Sequence, residues 1–494
     1  MKFLKKALLV AGLALAVSAP VAKADVLDDW NQELLTTLRQ MSGPGGPGAM
    51  ARVCAMVHVA EYDAVNSIKR THQPIIVMVD PPAGSSGVIA AAKAAHDVLV
   101  ALVPARRAQY DALLTTWMQK FPNGDAKFGG FAVGKQVAAA VIAARANDGS
   151  ANNAPYVFGS DPGDYQLTEP QSNPTALGCN WGHVTPWTMT SGAQFRPTTP
   201  GNIQGKRALL ASQYYADQVN EVQSLGSVNS LTRTPEQTEI AWFWANDGLG
   251  TYRPPGHLIE ITSTIERAHP VGFAAKARLF ALVSVGMADA AIAVWDRKYD
   301  TGLDLWRPVT AIQRADEDNN PATIKDANWT PLLGYTPPFP SYPSGHASFG
   351  AVHASILKSF YGTDNISFTV GTDQPYLSNS QFNRTLFRSF TSFTQAAREN
   401  GLSRIYLGVH YRFDADASFA LGMTIGQHIA STVALPLCAA DMNGDGVVNA
   451  VDMGDFTNAY FASSLLADFN KDGTVDSTDI YMYSNAYLAG CSRR

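Results

Sequence analysis

Three short islands of the 494-residue chain hold residue types that together can grip a tetrahedral oxyanion. "WDRKYDTGLDLWRP" carries Lys298 and Arg307, "PPFPSYPSGHASFG" carries Ser344, Gly345 and His346, and "SRIYLGVHYRFD" carries Arg404, His410 and Asp414. Cations and hydrogen-bond donors would neutralise the equatorial oxygens, one imidazole would bond the central atom, and the other would move a proton. Ser344 stands where an apolar helix begins, and a helix N-terminus with its unpaired N–H groups favours anions. Glycine beside it lets an anion approach the backbone. Each island taken singly has a plainer reading. Lys298 and Arg307 suit a solvated face or a salt-bridge pair, Ser344 an ordinary N-cap, Arg404 a C-cap, and His410 with Asp414 a surface pair. His353 reads as a satisfied core histidine and His257 as a structural one. The joint occurrence of the islands, in order, carries the argument.

The elements that must position these residues read as helices. "ARVCAMVHVAEYDAV" (51–65), "GVIAAAKAAHDVLVALV" (87–103), "FAAKARLFALVSVGMADAAIAVW" (273–295) and "FALGMTIGQHIASTVAL" (419–435) place apolar residues at helical spacing. Residues 149–175 and 194–203 are rich in Gly, Pro and Asn and read as loops. No alternation calls for a substantial sheet, so the expected fold is an all-α bundle over residues 25–435. The apolar stretch 271–295 contains Lys276, Arg278 and Asp289 and reads as a buried helix, leaving no transmembrane segment.

The two ends differ from this body. Lys2, Lys5 and Lys6 precede a short apolar run, and Ala22-Lys23-Ala24 offers a small-x-small cleavage site. Residues 1–24 are expected to be a signal peptide, giving a secreted or periplasmic chain that starts at Asp25. The formal charge of −5 becomes more negative without those lysines, and nothing suggests a nucleic-acid partner. Of four cysteines, Cys54 reads as a buried thiol, Cys179 carries no reading, and Cys438 and Cys491 flank the C-terminal segment and could clasp its ends.

That segment, 438–494, contains a repeat: "DMNGDGVVNAVD" (441–452) aligns with "DFNKDGTVDSTD" (468–479). Oxygen-bearing side chains alternate around a glycine turn, a pattern that suits calcium. Asp441, Asn443, Asp445, Asn449 and Asp452 would serve one ion, and Asp468, Asn470, Asp472, Asp476 and Asp479 a second. A solvated acidic tail is the plainer alternative. Asp452 and Asp479 stand where the usual EF-hand has glutamate, and the paired short repeats resemble type I dockerin modules. The resemblance implies a calcium-folded pair of loop–helix units that docks onto a cohesin-like partner. A calcium-stabilised appendage without a partner fits the sequence equally well.

Lys-x8-Arg-Pro, Pro-Ser-Gly-His and Ser-Arg-x5-His resemble the superfamily of vanadium haloperoxidases and type 2 phosphatidic acid phosphatases. "AMVHVAEYDAV", "WGHVTPWTM" and "WFWANDGLGTYRPPGHL" are similar to its bacterial haloperoxidase branch. The resemblance implies that Lys298, Arg307, Ser344, Gly345 and Arg404 hold the oxygens of vanadate. His410 would be the ligand to vanadium, oriented by Asp414, and His346 would exchange a proton with the apical oxygen. Trp295 and Phe339 match aromatic positions near the halide in the fungal chloroperoxidase. The implied activity is that of a vanadium-dependent haloperoxidase oxidising halide with hydrogen peroxide to hypohalous acid. A rival keeps the residues and changes the ligand: an acid phosphatase with His410 as nucleophile and His346 as general acid. The spacing from Lys298 to Arg307 exceeds the phosphatases' usual one. A third reading is a non-catalytic anion-binding domain carried by the docking module.

Overall fold

The computed structural model describes residues 24–41, 45–169, 175–299, 302–373, 386–443, 447–470, 472 and 474–490. All of the expected signal peptide but Ala24, together with Asp445 and Cys491, lies outside the described residues. The helices are α1 (Val26–Gln40), α2 (Gly46–Lys69), α3 (Gly87–Leu102), α4 (Arg107–Gln119), α5 (Asp125–Ala144), α6 (Lys206–Leu210), α7 (Gln213–Leu225) and α8 (Pro235–Ala245). They continue with α9 (Arg253–Ala268), α10 (Phe273–Tyr299), α11 (Pro308–Gln313), α12 (Gly345–Tyr361), α13 (Phe393–Tyr406), α14 (Arg412–Thr432), α15 (Ala450–Phe461) and α16 (Ser477–Ala489). One antiparallel ribbon joins β1 (Phe368–Gly371) to β2 (Phe387–Phe390), pairing Phe368 with Phe390. The chain is therefore helical as expected, with four-residue strands too short to announce themselves by alternation.

Helix α10 is the axis. It is long and apolar enough to cross a membrane, yet 94% of its most apolar window is buried inside protein. Helix α2 packs against it on one side and α12 on another, with α14 and α13 completing the shell around α12. Its charges are answered inside the fold. Lys276 pairs with Asp28 at 2.7 Å and Glu266 at 3.0 Å, which ties α10 to α1 and α9. The Asp289 carboxylate accepts from the Trp187 amide at 2.7 Å and from the amide and hydroxyl of Thr188 at 2.9 and 2.6 Å. That clamp pins an irregular loop to α10 without any element of its own.

Helices α12 and α14 run parallel and start at the same place. A Cβ on Gly422 would lie 2.5 Å from the Ser348 carbonyl oxygen, and one on Gly426 2.4 Å from the Ser355 Cβ. The seam therefore requires glycine for its close approach. At its opening end the Ser344 amide donates to the Asp414 carbonyl at 3.2 Å. Two helix N-termini, each with a partial positive charge, converge there.

The C-terminal segment has a small core of its own, in which the rings of Phe456 and Tyr483 stack 3.9 Å apart. Asp452 accepts from the amides of Met442, Asn443 and Asn449 at 2.9, 3.3 and 2.8 Å. Asp479 repeats this with Phe469, Asn470 and Asp476 at 2.7, 3.1 and 2.8 Å. A carboxylate has about four lone-pair positions, so each of these aspartates spends three on closing its loop. Among the described residues no three His, Cys, Asp or Glu side chains gather as a metal-holding group. Cys438 is disulfide-bonded, whereas Cys54 and Cys179 are free thiols. The link to the bundle is pinned: the Gln73 amide donates to the Leu435 carbonyl at 2.8 Å, and the Leu437 amide to that of Thr71 at 2.9 Å.

Candidate active site

The three islands converge where α12 and α14 begin. Lys298, on the last turn of α10, is fully buried and donates to the carbonyls of Pro340 and Ser341 at 2.7 and 2.9 Å. An ammonium has three donors, so one remains. Arg307, at the N-cap of α11, donates through Nε to the Phe339 carbonyl at 2.7 Å. Its Nη1 donates to the Val409 carbonyl at 2.7 Å and to His410 Nε2 at 3.2 Å. The 337–343 segment, stiffened by prolines, thus supplies the carbonyls that hold two of the cations. Burial, with Arg307 alongside, pushes Lys298 well below its usual range, and burial brings Arg307 to about 10.

Ser344 is the N-cap of α12, and its hydroxyl accepts from the Ala347 amide at 3.5 Å. The plain capping reading holds, and Gly345 and His346 follow in the first turn. Arg404, at the end of α13, is 1% exposed and donates through Nη2 to Asp247 at 2.7 Å. Asp247 Oδ1 also lies 3.9 Å from His346 Nε2. Burial works to raise the Asp247 carboxyl, but Arg404, His346 and Arg253 outweigh it and hold it below its ordinary range.

The two histidines are wired in opposite senses. His410 Nδ1 faces the Asp414 carboxylate at 2.7 Å, and Nε2 faces an Arg307 N–H. A carboxylate only accepts and a guanidinium only donates, so the proton sits on Nδ1 and the lone pair on Nε2. Asp414 is itself fixed by the Ser341 hydroxyl and the Tyr411 amide, and burial raises it to about 6. Burial, then Arg307 and Lys298, depress His410 well below 6.5. His346 Nε2 lies 3.1 Å from the Ala245 carbonyl, which only accepts, so the proton sits on Nε2 and Nδ1 keeps its lone pair. Burial and Arg404 lower His346 to about 4, against a rise from Asp247.

A cavity lies between these groups, lined by His346, His410, Arg404, Asp247 and Gly345 and walled by Trp295, Phe339, Phe349, Pro47 and Pro337. The Trp295 and Phe339 rings sit 5.0 Å apart. Lys298 and Arg307 lie over the Phe339 ring at 5.0 and 4.8 Å. Arg307 Nη2, Arg404 Nε and Arg404 Nη1 are buried without a hydrogen-bond partner. Three guanidinium N–H groups without an acceptor, beside an imidazole lone pair, fit a tetrahedral oxyanion and would be costly without one.

All the residues singled out in the three islands are thus brought together. Asp247 and the Ala245 carbonyl were given no role by the sequence. The signal available was a lone carboxylate in "WFWANDGLGTYR", directly after an apolar helix, and its partner Arg404 lies far along the chain. Outside the site, His353 bonds the Thr262 hydroxyl at 2.9 Å, and His257 is buried among Phe243, Trp244 and Tyr252 beside Asn246.

Residues 278–436 match the second helical-bundle domain of the VCPO family. The chain is 27% identical to the vanadium chloroperoxidase of Curvularia inaequalis over 86% of its own length and 83% of that protein's. A shorter stretch, 25% of the chain, is 31% identical to 22% of the vanadium-dependent bromoperoxidase of Ascophyllum nodosum. A bacterial vanadium-dependent iodoperoxidase structure superposes with a TM-score of 0.69 at 26% identity, covering 83% of this chain and 96% of that one. A bacterial vanadium-dependent chloroperoxidase shares the fold, with a TM-score of 0.65 at 17% identity over 84% of this chain and 98% of its own. In sequence and in fold, the chain is similar to vanadium-dependent haloperoxidases.

Proposed function

We propose that the protein binds vanadate in this cavity and uses hydrogen peroxide to oxidise halide ions to hypohalous acid. The observation that carries the reading is two unpartnered guanidinium nitrogens of Arg404, which lines the same cavity as His410, with a third on Arg307, whose Nη1 meets His410 Nε2. Lys298, Arg307, Arg404, Ser344 and the Gly345 amide would hold the vanadate oxygens. His410 would offer Nε2 to the metal, with Asp414 fixing its tautomer. Vanadate, when bound, supplies Lewis acidity that activates peroxide toward a halide without changing its own oxidation state. His346, whose Nε2 meets the Ala245 carbonyl, would take the peroxide proton at Nδ1. Trp295 and Phe339 give the halide a dry wall.

Phosphate and vanadate share shape and charge, so the same cradle could serve an acid phosphatase. The deciding experiment measures bromide, chloride and iodide oxidation by peroxide beside phosphomonoester hydrolysis, each with and without vanadate. Vanadate-dependent halide oxidation is expected. Hydrolysis that vanadate inhibits, with no halide oxidation, would overturn the reading.

The C-terminal repeat is proposed to bind two calcium ions and to dock a cohesin-like protein. Its support is the matched pair of loops closed by Asp452 and Asp479. Calcium-dependent gain of helix and a calcium-dependent rise in its melting temperature test the first part. Export to an oxidising compartment is proposed from the leader at 1–24 and from the bonded Cys438.

A further inference from the structure

Leu177 and Gly178 belong to no helix, yet their backbone bolts two walls of the cavity together. The Leu177 amide donates to the Pro338 carbonyl at 2.8 Å, next to Phe339. The Leu177 carbonyl accepts from Trp295 Nε1 at 3.3 Å and from the Tyr299 hydroxyl at 2.8 Å. Gly178 has φ +68°, and a Cβ there would lie 2.5 Å from Trp295 Nε1 and 2.8 Å from Cδ1. The indole N–H is therefore turned toward this loop. Its benzo edge lies on the other side: a Cβ on Gly345 would meet Cζ3 at 3.2 Å and Cη2 at 3.4 Å, and both Gly345 and Trp295 line the cavity.

An aromatic edge carries partial positive charge on its C–H groups, whereas an N–H is a true hydrogen-bond donor. Which of the two faces a halide sets how that ion is held. We propose that the Leu177–Gly178 turn is the positioning element that keeps the C–H edge of Trp295, and not its N–H, toward the halide. The proposal rests on the haloperoxidase reading above. None of the hydrogen-bond partners described for Lys298, Arg307 and Arg404 belongs to the turn itself, so vanadate affinity is expected to be kept when the turn is altered.

Two variants separate the collision from the backbone conformation. Gly178→Ala adds a Cβ and is strained at positive φ. Gly178→Asn adds the same Cβ on a residue that tolerates that region. Both are expected to raise the KM for bromide about tenfold, the scale of one disturbed apolar contact in a pocket, with vanadate affinity unchanged and kcat little altered. Tyr299→Phe adds no atom, removes one donor from the Leu177 carbonyl, and is expected to raise the same KM less. A wild-type KM in Gly178→Asn, or vanadate affinity falling in step with halide KM, would overturn the proposal. If neither glycine variant folds, an unchanged bromide KM in Tyr299→Phe overturns it. Should the wild type bind vanadate and oxidise no halide, the proposed function fails, and bromide-soaked crystals decide the positioning claim separately. An anomalous peak beside the Trp295 benzo edge supports it, and no peak there overturns it.

Discussion

The oxyanion cradle and the C-terminal loops both gather charge, and they treat it in opposite ways. In the cradle, Arg404 pairs with Asp247 and His410 with Asp414, Lys298 and Arg307 donate to backbone carbonyls, and three buried guanidinium nitrogens lack an acceptor. In the loops, Asp452 and Asp479 are each satisfied by three backbone amides. Each unmet buried donor costs about 1–3 kcal/mol, so a fold keeps several together only where something else repays the cost. Satisfied carboxylates hold a loop shut whatever else they do. The contrast separates a site with buried donors left over from a pair of loops whose closing carboxylates are met by backbone amides.

The largest expected effect lies in the cradle. His410→Ala removes the imidazole lone pair proposed to bind vanadium, so vanadate should bind much more weakly and halide oxidation should vanish. Vanadate titration beside bromide oxidation measures both, and normal vanadate affinity in this variant would break the contrast. His346→Ala leaves the cations and His410 in place. Vanadate should still bind, while turnover falls by roughly 10²–10⁴-fold, as for loss of a positioned acid–base group.

The loops should behave in reverse. Asp452→Ala strands three amides and should destabilise the C-terminal unit by about 3 kcal/mol, taking about 1 for each bond, without changing halide oxidation. Denaturant melts of the full chain, read beside activity, check this, and a parallel loss of activity would show the two regions are not independent. The smallest effect is a shift in pH dependence. Asp247 raises the His346 pKa, so Asp247→Asn should lower it further below its ordinary 6.5. His346 must be unprotonated at Nδ1 to take a proton, so the acid limb of the halide-oxidation profile should move to lower pH. A limb that moved upward would refute the contact between the two side chains as its cause.

The cradle was legible because its residues lie in three compact islands with fixed spacing, two of them beside helix starts. The helices were legible because their apolar faces repeat with helical period. Asp247 was not, since its meaning depends on Arg404, brought near only by the packing of α8 on α13. The Asp289 clamp was likewise invisible, because a carboxylate in an apolar helix gives no hint that its partners are loop amides. Nothing in the sequence marks Gly178, whose place depends on the Trp295 ring packed against it. Local order and the three spaced islands could be read from the chain, and contacts that no spacing announces could not.

The glycine seam between α12 and α14 has a further consequence. His346 rides on the first turn of one helix, and His410 lies just before the other, so the seam acts as a gauge block between the two imidazoles. Gly422 and Gly426 leave no slack in it. Lengthening either by a single methyl would wedge the helices apart and widen the gap between the two imidazoles. Proton transfer is steep in distance, so the cavity's working tolerance is kept well away from it, by two residues that touch nothing in the cavity.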